Sequence, residues 1–383
     1  PPTLLPTTHP TVLSLPKVCS VVLVWLRDFY RDFAAPGLAA TLQAFLGVGE
    51  ESPYAAAAGE PGHASSAGGG SREWSSLVLV KDVMRRVLDD RLALLAGHAA
   101  YIAPAPPAPP PAADAPGGER AFRLLQLSPG DVARELTLQA SRLFFAVPYG
   151  EFLACARLLA AHAPELGCPA RLAALEHRIP PRAALRALAE GARRVANWVA
   201  SAIVSEPEGS ARVALIALFL RVADHCHQLR DFSTLAAVWA GLTSPAVRTL
   251  AKSCAEALRD PETLTLYAHL SQLCGAAAGG EPRETGALRA AMQAHEDVPC
   301  VPLLDPLLAD LARVHGDCGA PDTTPQGLLH LSKARRLAAA LKRITRHQHW
   351  RYNFPPAPHV ARYLSDPLVL EPAQLLARAR ACE

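Results

Sequence analysis

Aromatic side chains are scarce in this sequence, 6% of its 383 residues, and methionine occurs only twice. A core with so few rings has to be filled by Ala, Leu and Val. The first two are strong helix formers, which points to an all-α protein. Charge of one sign is missing as well: the net formal charge is +3, too small to give a global field that recruits nucleic acid or anionic lipid. The nine cysteines are odd in number and include no C-x-x-C pair. They read as reduced, buried thiols of a cytosolic protein and not as a disulfide framework. Long apolar runs are also absent: Val18–Leu26 and Val213–Ala223 fall short of the roughly 18 residues a membrane span needs. The start at Pro1 without Met, and without a signal-type leader, points to a piece of a longer protein.

Catalytic chemistry is equally thin. No G-x-x-x-x-G-K-[ST] phosphate loop occurs, so the chain is expected to hold no nucleotide of its own. No G-x-S-x-G elbow or Cys–His pairing nominates a nucleophile. His225-Cys226-His227 and His347-Gln348-His349 place neighbouring donors on different helix faces, and no second pair completes a tetrahedron. Neither a metal nor a cofactor is expected.

What is present is helix, in blocks. Residues 1–48 carry apolar residues at helical spacing (Val21, Val24, Trp25, Phe29, Phe33), then a second short helix after Pro36-Gly37. Residues 49–73, with "SSAGGGS", read as a flexible linker. Helical patterning resumes over 74–102 through Leu77, Val80, Val83, Met84, Val87 and Leu88. Residues 103–120, with "APAPPAPPPAADAPGG", read as an extended Pro-rich spacer. From Ala121 to the end, helical segments follow one another across short Pro and Gly breaks with no fixed repeat period.

Three ordered stretches of that last block resemble one family. They are "LSPGDVARELTLQASRLFFAVPYGEFL" from Leu127, "VANWVASAIVSEPEGSARVALIALFLRVADHCHQLRDFSTLAAVWAGLTSPAV" from Val195, and "VPCVPLLDPLLADL" followed by "LLHLSKARRLAAALKRITRHQHWRYNFPPAPHVARYL". Together they are similar to the catalytic (CDC25-homology) domain of the guanine-nucleotide exchange factors for Ras-like small GTPases, the RasGEF domain. The segment "VWLRDFYRDF…LAATLQAFL" looks like the end of the Ras-exchanger motif that accompanies it.

The resemblance implies an irregular all-helical catalytic domain at 121–383 with a protruding helical hairpin, preceded by a small helical module. The hairpin's first helix is expected at Pro302–Val314, its tip at His315-Gly316-Asp317, and its second helix at Gly327–Gln348. In the family such a hairpin wedges open the nucleotide site of the GTPase. On that basis Leu311, Ala312, His315, Gly316 and Asp317 are the catalytic candidates. Arg134, Thr137, Thr243 and Ser244 are the GTPase-contact candidates, and Lys333, Arg335 and Arg336 support the hairpin. The partner implied is Ras, Rap or Ral, met in the cytoplasm or at the inner face of the plasma membrane. Recruitment there would come from sequence outside this chain.

Independently of the family, Leu337, Ala340, Leu341 and Ile344 form an apolar stripe. Lys333, Arg335, Arg336, Lys342, Arg343 and Arg346 surround it without a single acid. Asn197 and Trp198 read as a core-packing pair.

Departures from the family pattern fall on the presented surface. "LADLARVHGDC" puts Gly316 or His315 where an acid is usual, with Asp317 the nearest carboxylate. Thr243 stands for Asn, Thr249 for Arg, Cys254 for Trp, and Arg230-Asp231-Phe232-Ser233 for Asn-Asn-Phe-Asn. The alternative these leave open is a RasGEF-fold adaptor without exchange activity.

Overall fold

The computed structural model describes residues 21–26, 33, 37–47, 81, 83–93, 96–97, 124–166, 179–180, 183–275, 286–294, 298–317, 330–355 and 357–382. The expected linkers at 49–73 and 103–120, and the expected start of the second hairpin helix at Gly327, lie outside these. The chain divides into two compact units, Pro1–Ala103 and Pro104–Glu383. Apart from a single parallel bridge between Asp231 and Val301, the regular structure among the described residues is helical, as the composition requires.

In the first unit, helical residues 21–26, helix α1 (Leu38–Gly47) and helical residues 83–93 share a small core of Leu26, Phe33, Leu42, Leu46, Met84 and Leu88. Trp25 leans on Phe33 at 5.1 Å between ring centroids. The inward stripe of the first helix is Val22, Trp25 and Leu26. Val21 and Val24, expected inside, are 66% and 47% exposed. Spacing alone gave the right period with the wrong phase, because Val and Leu occupy both faces of this helix.

The second unit holds α2 (Pro129–Ala146), α3 (Tyr149–Leu166), α4 (Ala184–Val204), α5 (Gly209–Gln228) and α6 (Phe232–Leu242). Short helices α7 (Pro245–Arg248) and α8 (Ala251–Ala257) follow, then α9 (Pro261–Cys274) and α10 (Gly286–Gln293). The chain ends with α11 (Leu304–Asp317), α12 (Leu331–Thr345), α13 (Pro358–Ser365) and α14 (Pro372–Cys382).

Helix starts follow from local chemistry. Asp231 accepts from the Thr234 amide at 2.9 Å to open α6, and Asp260 accepts from the Thr263 amide at 3.0 Å to open α9. Ser244 opens α7, and Pro stands in the first turn of α2, α7 and α9. Each arrangement satisfies or removes amides that have no partner inside the helix.

Helix α5 is the axis of the bundle, packed by α2, α4, α6, α8 and α9. Its Leu215, Phe219, Val222, Ala223 and Cys226 are fully buried. Trp198 of α4 meets Phe219 edge-on at 5.2 Å, so it sits in the core as its sequence context predicts; Asn197 beside it is half-buried. Helices α4 and α6 approach so closely that a Cβ on Gly241 would stand 2.6 Å from the Ala196 carbonyl oxygen and 2.7 Å from Val199 Cβ. Only glycine fits there.

The turn between α5 and α6 contains Arg230 with φ at 60°, in the left-handed region that costs an L-residue about 1–2 kcal/mol because of its Cβ and that Asn enters more readily.

Two substitutions test these packing statements by urea unfolding. Gly241→Ala is expected to lower the unfolding free energy by about 1–3 kcal/mol through overpacking. Gly150→Ala, with open space around it, is expected to leave it unchanged or raise it. Arg230→Asn is expected to raise stability by up to about 1 kcal/mol.

Candidate functional site

Helices α11 and α12 pack on each other and on α3. Along α11 Leu304, Leu308, Leu311 and Ala312 are buried in a stripe, and Pro306 and Val314 are buried beside it. On α3 Phe152, Cys155, Ala156 and Leu159 are buried at matching spacing. On α12 the inward residues are Ala340, Leu341 and Ile344, with Leu337 half-buried, as the expected apolar stripe requires. None of these residues belongs to the principal core cluster around α5. The helix pair therefore has an apolar seat of its own.

Both ends of this excursion are tied to the α5–α6 turn and its surroundings. Before α11, the Val301 amide donates to Arg230 O at 3.1 Å and the Phe232 amide donates to Val301 O at 2.9 Å. After α12, the buried Gln348 Nε2 donates to Phe144 O at 2.7 Å and to Val147 O at 3.0 Å. These carbonyls end α2 where it bends by 83° into α3; Phe144 O also accepts from the Val147 amide at 3.2 Å, so Gln348 reinforces a turn that the backbone has already begun. Four residues on, the Tyr352 hydroxyl donates to Leu229 O at 2.7 Å, with Phe354 against its ring at 5.2 Å.

The sequence-derived candidates separate into two groups. Arg134 is exposed, its guanidinium held by Asp131 at 2.9 Å. Ser244 is half-buried as the α7 cap, while His315 is half-buried and Gly316 exposed in the last turn of α11. Arg335 and Arg336 are exposed on the outer face of α12, beside Lys342 and Arg343.

Thr137, Thr243, Leu311, Ala312 and Lys333 are buried instead. Thr137 lies beside the Asp231 carboxyl, and the Thr243 hydroxyl donates to Trp239 O at 2.7 Å. Leu311 and Ala312 belong to the seat on α3, and Lys333 falls on the inward side of α12. These five lie beneath the solvent-facing side chains.

The helix boundaries also differ from expectation. Helix α11 begins at Leu304, two residues later than expected, and runs through His315-Gly316 to Asp317 without breaking. A single glycine in a last helical turn costs only about 1 kcal/mol and need not end it. The α-helical part of the second arm runs Leu331–Thr345, closing in a 3₁₀ turn at Arg346–Gln348.

Gln348, Tyr352 and Val301 went unassigned in the sequence. Their roles reside in long-range contacts to backbone, which leave no local pattern.

Two buried groups beside these ties titrate abnormally, in opposite senses. Burial pushes the Asp231 carboxyl up to about 6, against the lowering effect of the neighbouring Thr234, Thr137 and Ser233 donors. Burial, helped by the neighbouring Arg346, pushes His347 down to about 4. Its Nε2 accepts from Arg346 Nε at 3.3 Å, a role open only to the unprotonated ring. The thiols of Cys155, Cys274 and Cys300 are raised to about 12 chiefly by burial. They are neutral at pH 7 and poor nucleophiles.

No single helix among the described residues is long and apolar enough to cross a membrane. What the geometry offers is a bound surface: a helix pair on a rigid seat, with cationic side chains outside and a glycine near the end of its first arm.

The sequence matches the family model of the RasGEF domain over residues 131–335, more than half the chain and including most of the elements just described. The chain belongs to the RasGEF-domain family. It is 27% identical over 236 residues to Ras-specific guanine nucleotide-releasing factor 1 of Rattus norvegicus, covering 62% of this chain and 17% of that protein. To Ras guanine nucleotide exchange factor J of Dictyostelium discoideum it is 26% identical over 279 residues, 72% of this chain and 31% of that protein. RAS guanyl-releasing protein 4 of Mus musculus is 27% identical over 279 residues, 72% of this chain and 36% of that protein. In each case the match spans about a third or less of the relative's own length.

The opposed titrations give a pH test. Asp231, with its folded value raised, contributes stability present below pH ~4 and lost as pH rises through about 6. His347, with its folded value lowered, contributes stability present above pH ~6.5 and lost as pH falls toward 4. The two offset each other in the wild type. Asp231→Asn keeps an acceptor for the Thr234 amide and removes only the first. The variant's unfolding free energy is expected to gain on the wild type's by a few kcal/mol between pH 4 and 7, measured by urea denaturation at each pH.

Proposed function

We propose that this chain is a guanine-nucleotide exchange factor for a Ras-subfamily GTPase, Ras, Rap or Ral, and that α11 and α12 are the element that opens the nucleotide site. The observation that carries this reading is the coincidence of a RasGEF-domain match over residues 131–335 with a helix pair whose seat is separate from the main core. The relatives' printed names, guanine nucleotide-releasing or exchange factors, support the same activity.

Exchange of this kind needs no covalent step. A factor that binds the nucleotide-free GTPase more tightly than the loaded one lowers the barrier to release, and each ~1.4 kcal/mol of that preference is worth a factor of ten in rate. Binding that closely requires a wedge that does not yield. The ties at Val301, Gln348 and Tyr352 supply stiffness at the base, and the apolar seat on α3 supplies it along α11.

Contact falls to the residues the fold leaves outside: Arg134, Ser244, His315 and Gly316, with Asp317 following in the chain. Arg335 and Arg336 on α12 complement an acidic partner surface or stiffen the arm. Thr137, Thr243, Leu311 and Ala312 act from beneath by fixing the helices that carry these groups. Action in the cytoplasm, with recruitment to the inner face of the plasma membrane, belongs to the same proposal.

The test mixes purified protein with Ras, Rap and Ral, each loaded with fluorescent GDP, and follows release after excess GTP. Acceleration of at least one GTPase is expected, and no acceleration of any overturns the proposal in favour of an adaptor. A second arm uses Gly316→Tyr. A Cβ added at Gly316 meets nothing within 4 Å and the position is exposed, so stability is expected to stay within about 0.5 kcal/mol. The accelerated rate is expected to fall at least about tenfold, equivalent to roughly 1.4 kcal/mol of barrier.

A further inference from the structure

Asp224 and His227 stand three residues apart on α5 and so share one face of that helix. Helix α9 packs against α5 and brings His269 to the same place. One ligand atom from each of the three lies within 4.8 Å of the others, and His269 Nδ1 is 3.8 Å from Asp224 Oδ1. The two imidazoles meet edge-on, centroids 5.3 Å apart and planes inclined by 62°, so neither ring is stacked flat on the other. We propose that Asp224, His227 and His269 form a divalent transition-metal site, of the kind that takes zinc, joining α5 to α9.

Four observations lead there. Two imidazoles with one carboxylate suit zinc, copper or nickel and suit magnesium or calcium poorly, since those cations prefer all-oxygen ligation. The carboxylate is oriented in advance: Gln228 Nε2 donates to Asp224 Oδ2 at 2.7 Å, leaving Oδ1, the oxygen nearest His269, for a cation. Outer-sphere bonds of this sort hold metal ligands in place.

The site also has an entrance. The His269 side chain is 48% exposed and that of Asp224 22%, so an ion can enter and water can complete a tetrahedron. Finally, the local charge favours a cation. On the same seam Arg221 is paired with Glu262 at 3.3 Å, so the Asp224 carboxylate remains as the net negative group.

Ligand atoms of a tetrahedral zinc site lie roughly 3.3–3.5 Å apart. Closing from separations within 4.8 Å takes up to about 1.5 Å, shared between a rotation of the exposed His269 and adjustment of Asp224 and His227 on α5. The sequence reading passed over this set because it weighed His225-Cys226-His227 together. On the helix the useful spacing is Asp224 to His227, and His269 arrives from another helix.

Protein stripped with a chelator and titrated with cobalt as a spectroscopic probe is expected to bind one ion per chain at this site. The expected spectrum has visible absorption of tetrahedral intensity and no thiolate charge-transfer band, because the set contains no cysteine. Zinc, and not magnesium, is expected to raise the melting temperature of the stripped protein by about 2–6 °C. His269→Gln, a surface change, is expected to weaken cobalt binding at least tenfold and abolish the zinc shift while leaving the metal-free melting temperature unchanged. Asp224→Asn repeats the test independently should His269→Gln fail to fold. Absence of cobalt absorption in the wild type, thiolate bands, or a zinc shift that survives the substitutions would each overturn the proposal.

Discussion

The backbone of one turn, Leu229 to Phe232, is the constraint on which the rest of the second unit depends. Helix α5 ends there and α6 begins, Val301 pairs with it on one side, and Tyr352 donates to it on the other. The turn adopts a left-handed residue at Arg230, which aims its carbonyl at the Val301 amide. Asp231 then serves as the cap of α6. A carboxylate buried at that point is costly in isolation, yet it is retained where it also satisfies an orphan amide at a helix start. Strain and desolvation are concentrated in the few residues that hold distant parts of the chain in register, which is where such costs persist.

From that turn the candidate interface follows mechanically. The bend between α2 and α3 sends α3 away from the bundle, and Gln348 fastens the far side of the excursion to the two carbonyls at the bend. The helix pair then rests on α3, while the exposed Arg134 of α2 lies on the helix that supplies the bend. The exposed candidates are few, and the buried ones govern how firmly the exposed ones are held. A surface whose task is to stay rigid against a partner has most of its determinants underneath.

Much of this was legible in advance, for identifiable reasons. Helical content followed from Ala and Leu, and the α12 stripe from its period. The family followed from ordered motifs carried by buried residues such as Trp198, Phe219 and Val301. What was not legible depended on phase and distance. Thr137 and Thr243 look like surface hydroxyls in a string of letters, and only the fold turns them inward. The helix expected to stop before His315 runs on to Asp317, since one glycine in a last turn is only a modest cost. Gln348 has no signature, since its partners are carbonyls some two hundred positions earlier in the chain.

Because Val301 and Tyr352 meet the same turn, the segment between them leaves the bundle and returns to its starting point, as an inserted loop does. The entropy of closing such a loop rises only logarithmically with its length, by about 0.6 kcal/mol for each doubling. Residues can therefore be gained or lost between the two arms at small thermodynamic cost, whereas the two points of departure and return cannot shift. The reach of the pair is thereby free to change while its foundation is held.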